Sequence, residues 1–459
     1  MTVLARLDRY WFAPARLRDL AYLRITLVLT LLLGVMWPGA LGTQLQSTRL
    51  PAEWFTPLPA LKVLMLPFGW GARPSALVVT IAWIVCDVSG IAALVGAFTR
   101  ASLATFAATC TFLVLHQYAF GTLHHPEAPA AIMLWVLILT PCGAELSVDA
   151  LRARVAESRV RGRFVARGVD AESRDARWPM RLAQWLLVCV YASAGLSKLV
   201  VAGMSWMNGY TMTYYFLLDG VNNQLPVTLA IAHIHWIGAL CAAVAMAFEL
   251  TFVLCVLFPR LSPGYLATGT ALHSGIWLLM RPPFFQFIAL YAAFAEPVRN
   301  ELRRWTGVRK NERVWTLVYD GFCPLCIRTM TQLDELDGAR RLRYVDLERE
   351  TDRARALLPG VSIEDMRQAM AVVTPTGVGL RGFFAFREIS RRLPVLWPLV
   401  PLMYAPGSAW VGTRVYAWVA ANRARRLCDG DACAVHGVHG SGKGGAAAAA
   451  VIDFGGSAS

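Results

Sequence analysis

Lysine is nearly missing from this chain: of its 44 basic side chains four are lysines, Lys62, Lys198, Lys310 and Lys443. Charge of either sign is also scarce, with 16% of the 459 residues charged and 56% apolar, where a soluble domain carries about 25% charged residues. Together with several long apolar runs divided by polar loops, this deficit excludes an ordinary soluble protein. It describes a polytopic membrane protein with a soluble part attached. No internal repeat is present. A small-residue cleavage site is missing after the N-terminal arginines, so the first apolar run is expected to stay as an anchor. The net charge of +14 reads mainly as a topology signal and secondarily as attraction to lipid headgroups, and no nucleic-acid partner is expected.

Eight spans are expected, at about 20–38, 75–97, 101–119, 128–143, 182–203, 228–258, 265–280 and 283–297. Arg6, Arg9, Arg16 and Arg18 precede the first, Arg100 follows the second, and nine arginines lie between Arg152 and Arg181. All fall on one side of the bilayer if both termini are cytoplasmic. Arg260 and the cluster Arg299, Arg303, Arg304, Arg309 and Lys310 agree. The expected architecture is a polytopic α-helical membrane domain of about eight spans over 1–300, a basic linker at 301–313, a small cytoplasmic α/β domain over 314–436 and a disordered tail at 437–459. Its expected location is the inner membrane of a bacterial cell, multi-pass.

In the α/β domain, "RVWTLVYDGFCPLC" reads as a strand from Val314 to Tyr319, a turn, and a helix opening with Cys323-Pro324-Leu325-Cys326. Further strands are expected near "RLRYVDL" and "AMAVVT", a turn at "PTG", and amphipathic helices over about 383–427. A helix start stabilises a thiolate, so Cys323 is the expected attacker on a disulfide and Cys326 the resolving thiol. Half a zinc site is the alternative, but Cys428 and Cys433 in "CDGDAC" lack the spacing of a usual second pair. Cytoplasmic placement also favours redox use of a CxxC. The run Asp320 to Cys326 resembles the D-x-x-C-x-x-C signature of the DCC family of thiol-disulfide oxidoreductases, and Asp431 and Cys433 match that family's closing D-x-C. The resemblance covers about 314–434 and implies a thioredoxin-like fold and a thiol or disulfide redox partner. Pro375 falls in an apparent turn, and no residue clearly takes the place of the proline beside thioredoxin active sites.

Lys198 stands in the apolar run "YASAGLSKLVVAGMSWMNGY". A buried ammonium costs several kcal/mol unless it is paired, hydrated or deprotonated. It is either a neutral base, which arginine could not be, or a lysine snorkelling to the outer interface. Tyr191 and Ala194 precede it by seven and four positions and share its helix face. Six of the eight histidines, His116, His124, His125, His233, His235 and His273, fall in the membrane part, and His116 and His273 are expected to converge with Lys198. Asp87 and Glu249 are intramembrane acids able to partner arginines or protons. The histidine pairs lack the shared helix face that a metal site needs, so no metal is expected.

The order of these features resembles vitamin K-dependent gamma-carboxylases and the horizontally transferred transmembrane domain they share with bacterial proteins. "AGLSKLVVAGMSWMNGYTM" is similar to their lysine segment, with Trp206, Gly209, Tyr210 and Met212 in the W-x-x-G-Y-x-M pattern. "HQYAFGTL" and "TALHSGIWLLM" carry His116 and His273 over. The resemblance covers about 15–297 and implies that Lys198 deprotonates a quinol. It implies no tightly bound cofactor, with a menaquinol-like quinol or another small lipid as substrate. Protein carboxylation is not expected, because a CxxC domain occupies the place of the carboxylases' lumenal region. The leading reading is a membrane oxidoreductase joining quinol chemistry at Lys198 to thiol exchange at Cys323 and Cys326. The alternatives are a thiol-disulfide oxidoreductase with a non-catalytic membrane anchor, and a non-enzymatic scaffold.

Overall fold

The computed structural model describes residues 2–35, 39–66, 73–121, 127–167, 171–306, 314–338, 340–423, 425–427 and 434–436. It is mostly helical, with a small α/β domain near the C-terminus. The chain divides into two units, Met1–Asp149 with Asp170–Val308, and Ala150–Val169 with Arg309–Ser459.

Each apolar run of the first unit forms helix, which satisfies the backbone polar groups within the segment. The main helices are Leu17–Val35, Ala76–Val95, Thr99–Tyr118, Glu127–Ile138, Arg177–Ala202, His235–Thr251 and Ser262–Met280. Ser75 caps the second of these by accepting the Val78 N–H, and Gly96 ends it in the left-handed region, where a Cβ would collide with Ser147. Leu20, Leu23 and Leu27 of the first helix share a core with Phe106, Leu134 and Leu290. The same helix carries Arg18 and Asp19, and both are paired: Arg18 with Glu145 at 2.9 Å, Asp19 with Arg299 at 2.7 Å. On Ala76–Val95 the exposed face is Leu77, Ile81, Ile84, Val88 and Ile91. A helix apolar on both its buried and its open side has no face suited to water.

Among the described residues two helical stretches, Ala76–Val95 and Arg174–Asn208, are long and apolar enough to cross a membrane. A third counts if Pro226–Ala232 and His235–Thr251, bent by 93°, form one span. Helix thus lies under all eight expected spans, but eight of crossing length are not seen. Leu17–Val35 is diluted by Arg18, Asp19 and Arg24, and Glu127–Ile138 has 12 residues against the roughly 20 needed to cross. The last expected span is the short helix Phe285–Leu290, a 3-10 turn Tyr291–Phe294 and the polar helix Ala295–Thr306. The expected linker therefore begins as helix. Residues 307–313 and the expected disordered tail at 437–459 lie outside the described residues.

The second unit is built on a four-stranded sheet. Trp315–Tyr319 pairs in parallel with Leu342–Asp346 and antiparallel with Ala371–Val373, which pairs antiparallel with Gly379–Arg381. Alternation along the first strand divides two cores: Leu317 and Tyr319 pack with Ile327, Met330 and Ile389, and Val318 packs with Val345, Leu358 and Met366. Three of the strands fall where the sequence places them, and the three-residue Gly379–Arg381 completes the hairpin after the Pro375 turn. Among the described residues no peptide bond is cis.

The arginine-rich stretch expected as a plain loop between spans supplies part of this unit. Phe164 is buried against Tyr319 and Tyr344, with ring centroids 5.9 and 4.7 Å away. Arg154 donates to Asp334 at 2.7 Å and Glu335 at 3.2 Å, and Arg167 pairs with Glu335 at 3.1 Å. These acids end the helix that begins at the cysteines, Pro324–Leu336. Phe164→Ala is expected to destabilise the second unit by about 3 kcal/mol through the cavity it leaves, while Arg163→Ala, at an exposed neighbour, changes stability by less than about 0.5 kcal/mol. Limited proteolysis of the full-length protein reads both, and equal resistance of Phe164→Ala and wild type would contradict this packing.

Candidate active site

Strand Trp315–Tyr319 delivers the chain into a turn held by Asp320, whose carboxylate accepts the Phe322 N–H at 3.0 Å and whose carbonyl accepts the Cys323 N–H at 3.3 Å. Gly321 is required in this turn, because a Cβ there would overlap the Asp346 carboxylate. Asp346 closes the neighbouring strand, and burial raises its pKa against the pull of the Glu348 N–H and Arg349.

Cys323 is the N-cap of helix Pro324–Leu336, and its sulfur accepts the Cys326 N–H at 3.4 Å. Pro324 at the first helical position loses no hydrogen bond there. The two cysteines are unbridged, and their acidities are pulled apart. Cys323 falls to about 6, first through the hydrogen bond from the Cys326 thiol and then through the Cys326 N–H and Arg423, against burial and Asp320. Cys326 is pushed up by the same thiol pairing and by burial. The Arg423 guanidinium stands 3.5 Å from the Cys326 sulfur. Because the Cys323 pKa is depressed on folding, its thiolate adds stability that is fully present above the unfolded value of about 8.5 and is lost as pH falls through about 6.

The expected attacker is the more acidic thiol, yet Cys323 has no exposed surface and Cys326 is 8% exposed. It is Cys326 that lines a cavity of about 850 Å³, walled by Leu325, Met370, Phe386, Trp410 and Val415 with Arg423 as its charged group. Tyr416 lies in the same wall and accepts the Met370 N–H at 3.0 Å. Arg423, Tyr416, Gly321 and Asp346 are site residues that the sequence reading missed. A signal existed for Arg423 in the "NRARRL" run, but nothing local aimed it at a cysteine. Asp431 and Cys433, the closing D-x-C, lie outside the described residues, as does Cys428.

In the first unit Lys198 is paired with an acid. Its ammonium donates to both carboxylate oxygens of Glu249, at 2.6 and 2.5 Å, and lies 5.2 Å from the centroid of the Trp206 ring. Glu249, an expected intramembrane acid, thus supplies the pairing. Tyr191, on the expected face of the same helix, hydrogen-bonds His273 Nε2 at 2.8 Å and Tyr291 at 2.7 Å. Tyr291 went unnoticed in the sequence.

Of the expected convergence of Lys198, His116 and His273, His273 meets Tyr191, on the Lys198 helix, rather than Lys198 itself, and His116 joins neither. His116 is buried against Phe55, Phe112 and Phe120, with Nδ1 3.1 Å from Gln44. Among the described residues no hydrogen bond or ring contact joins it to Lys198 or His273. Its helix, Thr99–Tyr118, packs instead on Ala76–Val95 and Glu127–Ile138, which turns the imidazole toward Gln44. Tyr210 is largely exposed, its ring 4.5 Å from that of His235. His124 and His125 lie outside the described residues. Among the described residues no group of three His, Cys, Asp or Glu side chains is arranged to hold a metal ion.

The strand-turn-helix with a thiolate-favouring cysteine at its start defines a thiol-disulfide exchange domain. Residues 317–429 match the family model of the DCC1-like thiol-disulfide oxidoreductases. The match spans both cysteines, the sheet from Leu317 onward, and Arg423. No curated protein and no solved structure matches the chain.

Alkylation of Cys323 in the reduced full-length protein is expected to rise with pH around a midpoint near 6, not about 8.5. Burial slows the rate at every pH but leaves the midpoint to the thiolate fraction. Arg423→Ala should move that midpoint upward. A wild-type midpoint at the value of a free thiol, read by mass spectrometry of the labelled peptide, would overturn the assignment.

Proposed function

We propose that this chain is a membrane-bound thiol-disulfide oxidoreductase working through Cys323 and Cys326. The observation that carries this is the Cys323 sulfur at a helix start, receiving the Cys326 N–H at 3.4 Å, inside the stretch that matches the oxidoreductase family. The Cys323 thiolate attacks one sulfur of a partner disulfide and expels the other as a thiol. Cys326 then loses its proton and attacks Cys323, releasing the second partner thiol and leaving a Cys323–Cys326 disulfide. The reverse sequence oxidises a dithiol partner. Asp320 shapes the turn, and Asp431 and Cys433 belong to the same motif set. The strand order, with the parallel strand outside the first and the antiparallel hairpin on its other side, supports a thioredoxin-like fold.

The first unit serves as the membrane domain, multi-pass, with both termini and the redox domain cytoplasmic and the lipid bilayer as its solvent. The open apolar face of Ala76–Val95 and the arginine distribution support this. On this reading the domains are 1–300, 314–436 and a tail, with 150–169 added to the second, and the first resembles the transmembrane part of the gamma-carboxylases.

A second reading is favoured by one specific cluster. Lys198, Glu249 and Trp206 on one side and Tyr191, His273 and Tyr291 on the other put an acid–base pair and a buried hydroxyl–imidazole chain along a single helix. Lys198 here takes a proton from a menaquinol-like quinol once Glu249 has accepted its own, and His116 acts at most from a distance. In the anchor-only alternative the same groups hold helices together.

Two measurements test these readings. Cys326→Ser should trap a mixed disulfide with a partner or with oxidised glutathione, visible on a non-reducing gel, and Cys323→Ser should trap none. Trapping by neither variant removes the thiol-exchange reading. Lys198→Arg keeps the pairing with Glu249 but cannot give up its proton, so quinol-dependent oxygen uptake should vanish in that variant while thiol exchange persists. Oxygen uptake equal to wild type, or none in wild type, leaves the first unit as an anchor.

A further inference from the structure

After the last helix of the sheet domain, Phe383–Arg392, the chain changes character. From Pro394 to Asn422 the sequence holds a single charged side chain, Arg414, while Arg387, Arg391 and Arg392 precede this stretch and Arg423, Arg425 and Arg426 follow it. It folds as a 3-10 turn Pro394–Leu399, a helix Val400–Tyr404 and a helix Ser408–Ala421, with Gly407 in the left-handed region between them. None of these three elements buries a residue completely. Trp397, Trp410 and Trp418 are 57%, 61% and 69% exposed, and Leu402 is 69% exposed. Exposed tryptophans and leucines of this density are out of place on a water-facing surface.

Arginines stand against the aromatic rings of this surface. The Arg414 guanidinium lies 3.8 Å from the centroid of the Trp410 ring, and Arg387 lies 4.6 Å from that of Tyr404. Apolar residues bordered by tryptophan and arginine match the boundary of a bilayer, where acyl chains meet anionic headgroups. We propose that segment 394–421 is an interfacial hairpin that lies in an anionic membrane surface. Trp397, Leu402, Trp410, Val411, Val415 and Trp418 enter the acyl boundary, and Arg387, Arg391 and Arg414, stacked on Tyr404 and Trp410, meet lipid phosphates. A folded protein partner would need acids placed to match the exposed arginines beside this surface, and a bilayer containing anionic lipid presents them as a continuous sheet.

The hairpin also forms one wall of the cavity beside Cys326: Leu402, Trp410, Val411 and Val415 are at once lining residues and exposed residues. Lying on the membrane, the hairpin would set the mouth of that cavity at the level of the lipid. On the thiol-exchange reading proposed above, a disulfide or thiol carried by a membrane-embedded partner would then approach the Cys323–Cys326 pair through this cavity without leaving the bilayer surface.

The test uses the full-length chain in nanodiscs of phosphatidylcholine and phosphatidylglycerol doped with phosphatidylcholine bearing a diazirine in its acyl chain. After illumination and digestion, mass spectrometry should find acyl adducts on peptides covering 397–418 and none on the peptide covering 351–368, which lies on the other face of the sheet domain. Leu402→Glu combined with Trp410→Glu should reduce the 397–418 adducts several-fold while leaving those on Ala76–Val95 unchanged. Nanodiscs without phosphatidylglycerol should also give fewer. The proposal is overturned if 397–418 carries no acyl adduct while Ala76–Val95 is labelled in the same sample, or if a chemical cross-linker joins 397–418 to protein alone. The readout is lipid attachment, so it stands or falls independently of thiol exchange.

Discussion

A charge held among apolar side chains has to meet its opposite, and much of this molecule is arranged to meet that demand. Arg18 finds Glu145, Asp19 finds Arg299 and Lys198 finds Glu249. In the second unit Arg154 and Arg167 close on Asp334 and Glu335. Each pair joins residues far apart in the chain, so each fixes how one element lies against another. Such pairs are weak sources of net stability but strong sources of specificity, because a wrong arrangement strands a charge.

The same logic governs the cysteines on a smaller scale. Two adjoining thiols cannot both ionise, and the hydrogen bond that the Cys326 thiol gives, together with the Cys326 N–H at the helix start, puts the charge on Cys323. A pair in which one sulfur holds the charge and the other holds the proton is prepared for two successive displacements in a fixed order. Access runs the other way, since the open cavity reaches Cys326 and not Cys323. Cys323 thus lies behind Cys326 as seen from the cavity, one wall of which is formed by segment 394–421.

Local pattern made much of this legible. The alternation of Trp315 to Tyr319, the CxxC at a helix start and the apolar runs all depend on neighbours within a few residues, and each appears where it was expected. What was illegible depends on distance along the chain. Glu249 lies 51 residues from Lys198 and Arg423 lies 97 from Cys326, and no periodicity connects them. Phe164, a single aromatic in an arginine-rich loop, gives no local hint that it belongs to a sheet formed 150 residues later. The apolar runs marked helix correctly but overstated its length, because composition does not register a 93° bend or a helix of 12 residues. His116 was expected near Lys198 because the assigned topology puts both at the same face of the membrane, whereas the structure places it beside Gln44.

Phe164 and Arg154 also impose an order of events on biosynthesis. They leave the ribosome well before Trp315 to Tyr319 and Tyr344 exist, and at cellular rates of about 5–20 residues per second the wait is roughly ten to thirty seconds. For that time an aromatic side chain and several arginines stay unsatisfied, while the apolar helices between them are still being made. The redox domain cannot close as an independent C-terminal bead. It is finished only when its late-made sheet retrieves an early-made strap, so its maturation reports that the intervening segments have been traversed.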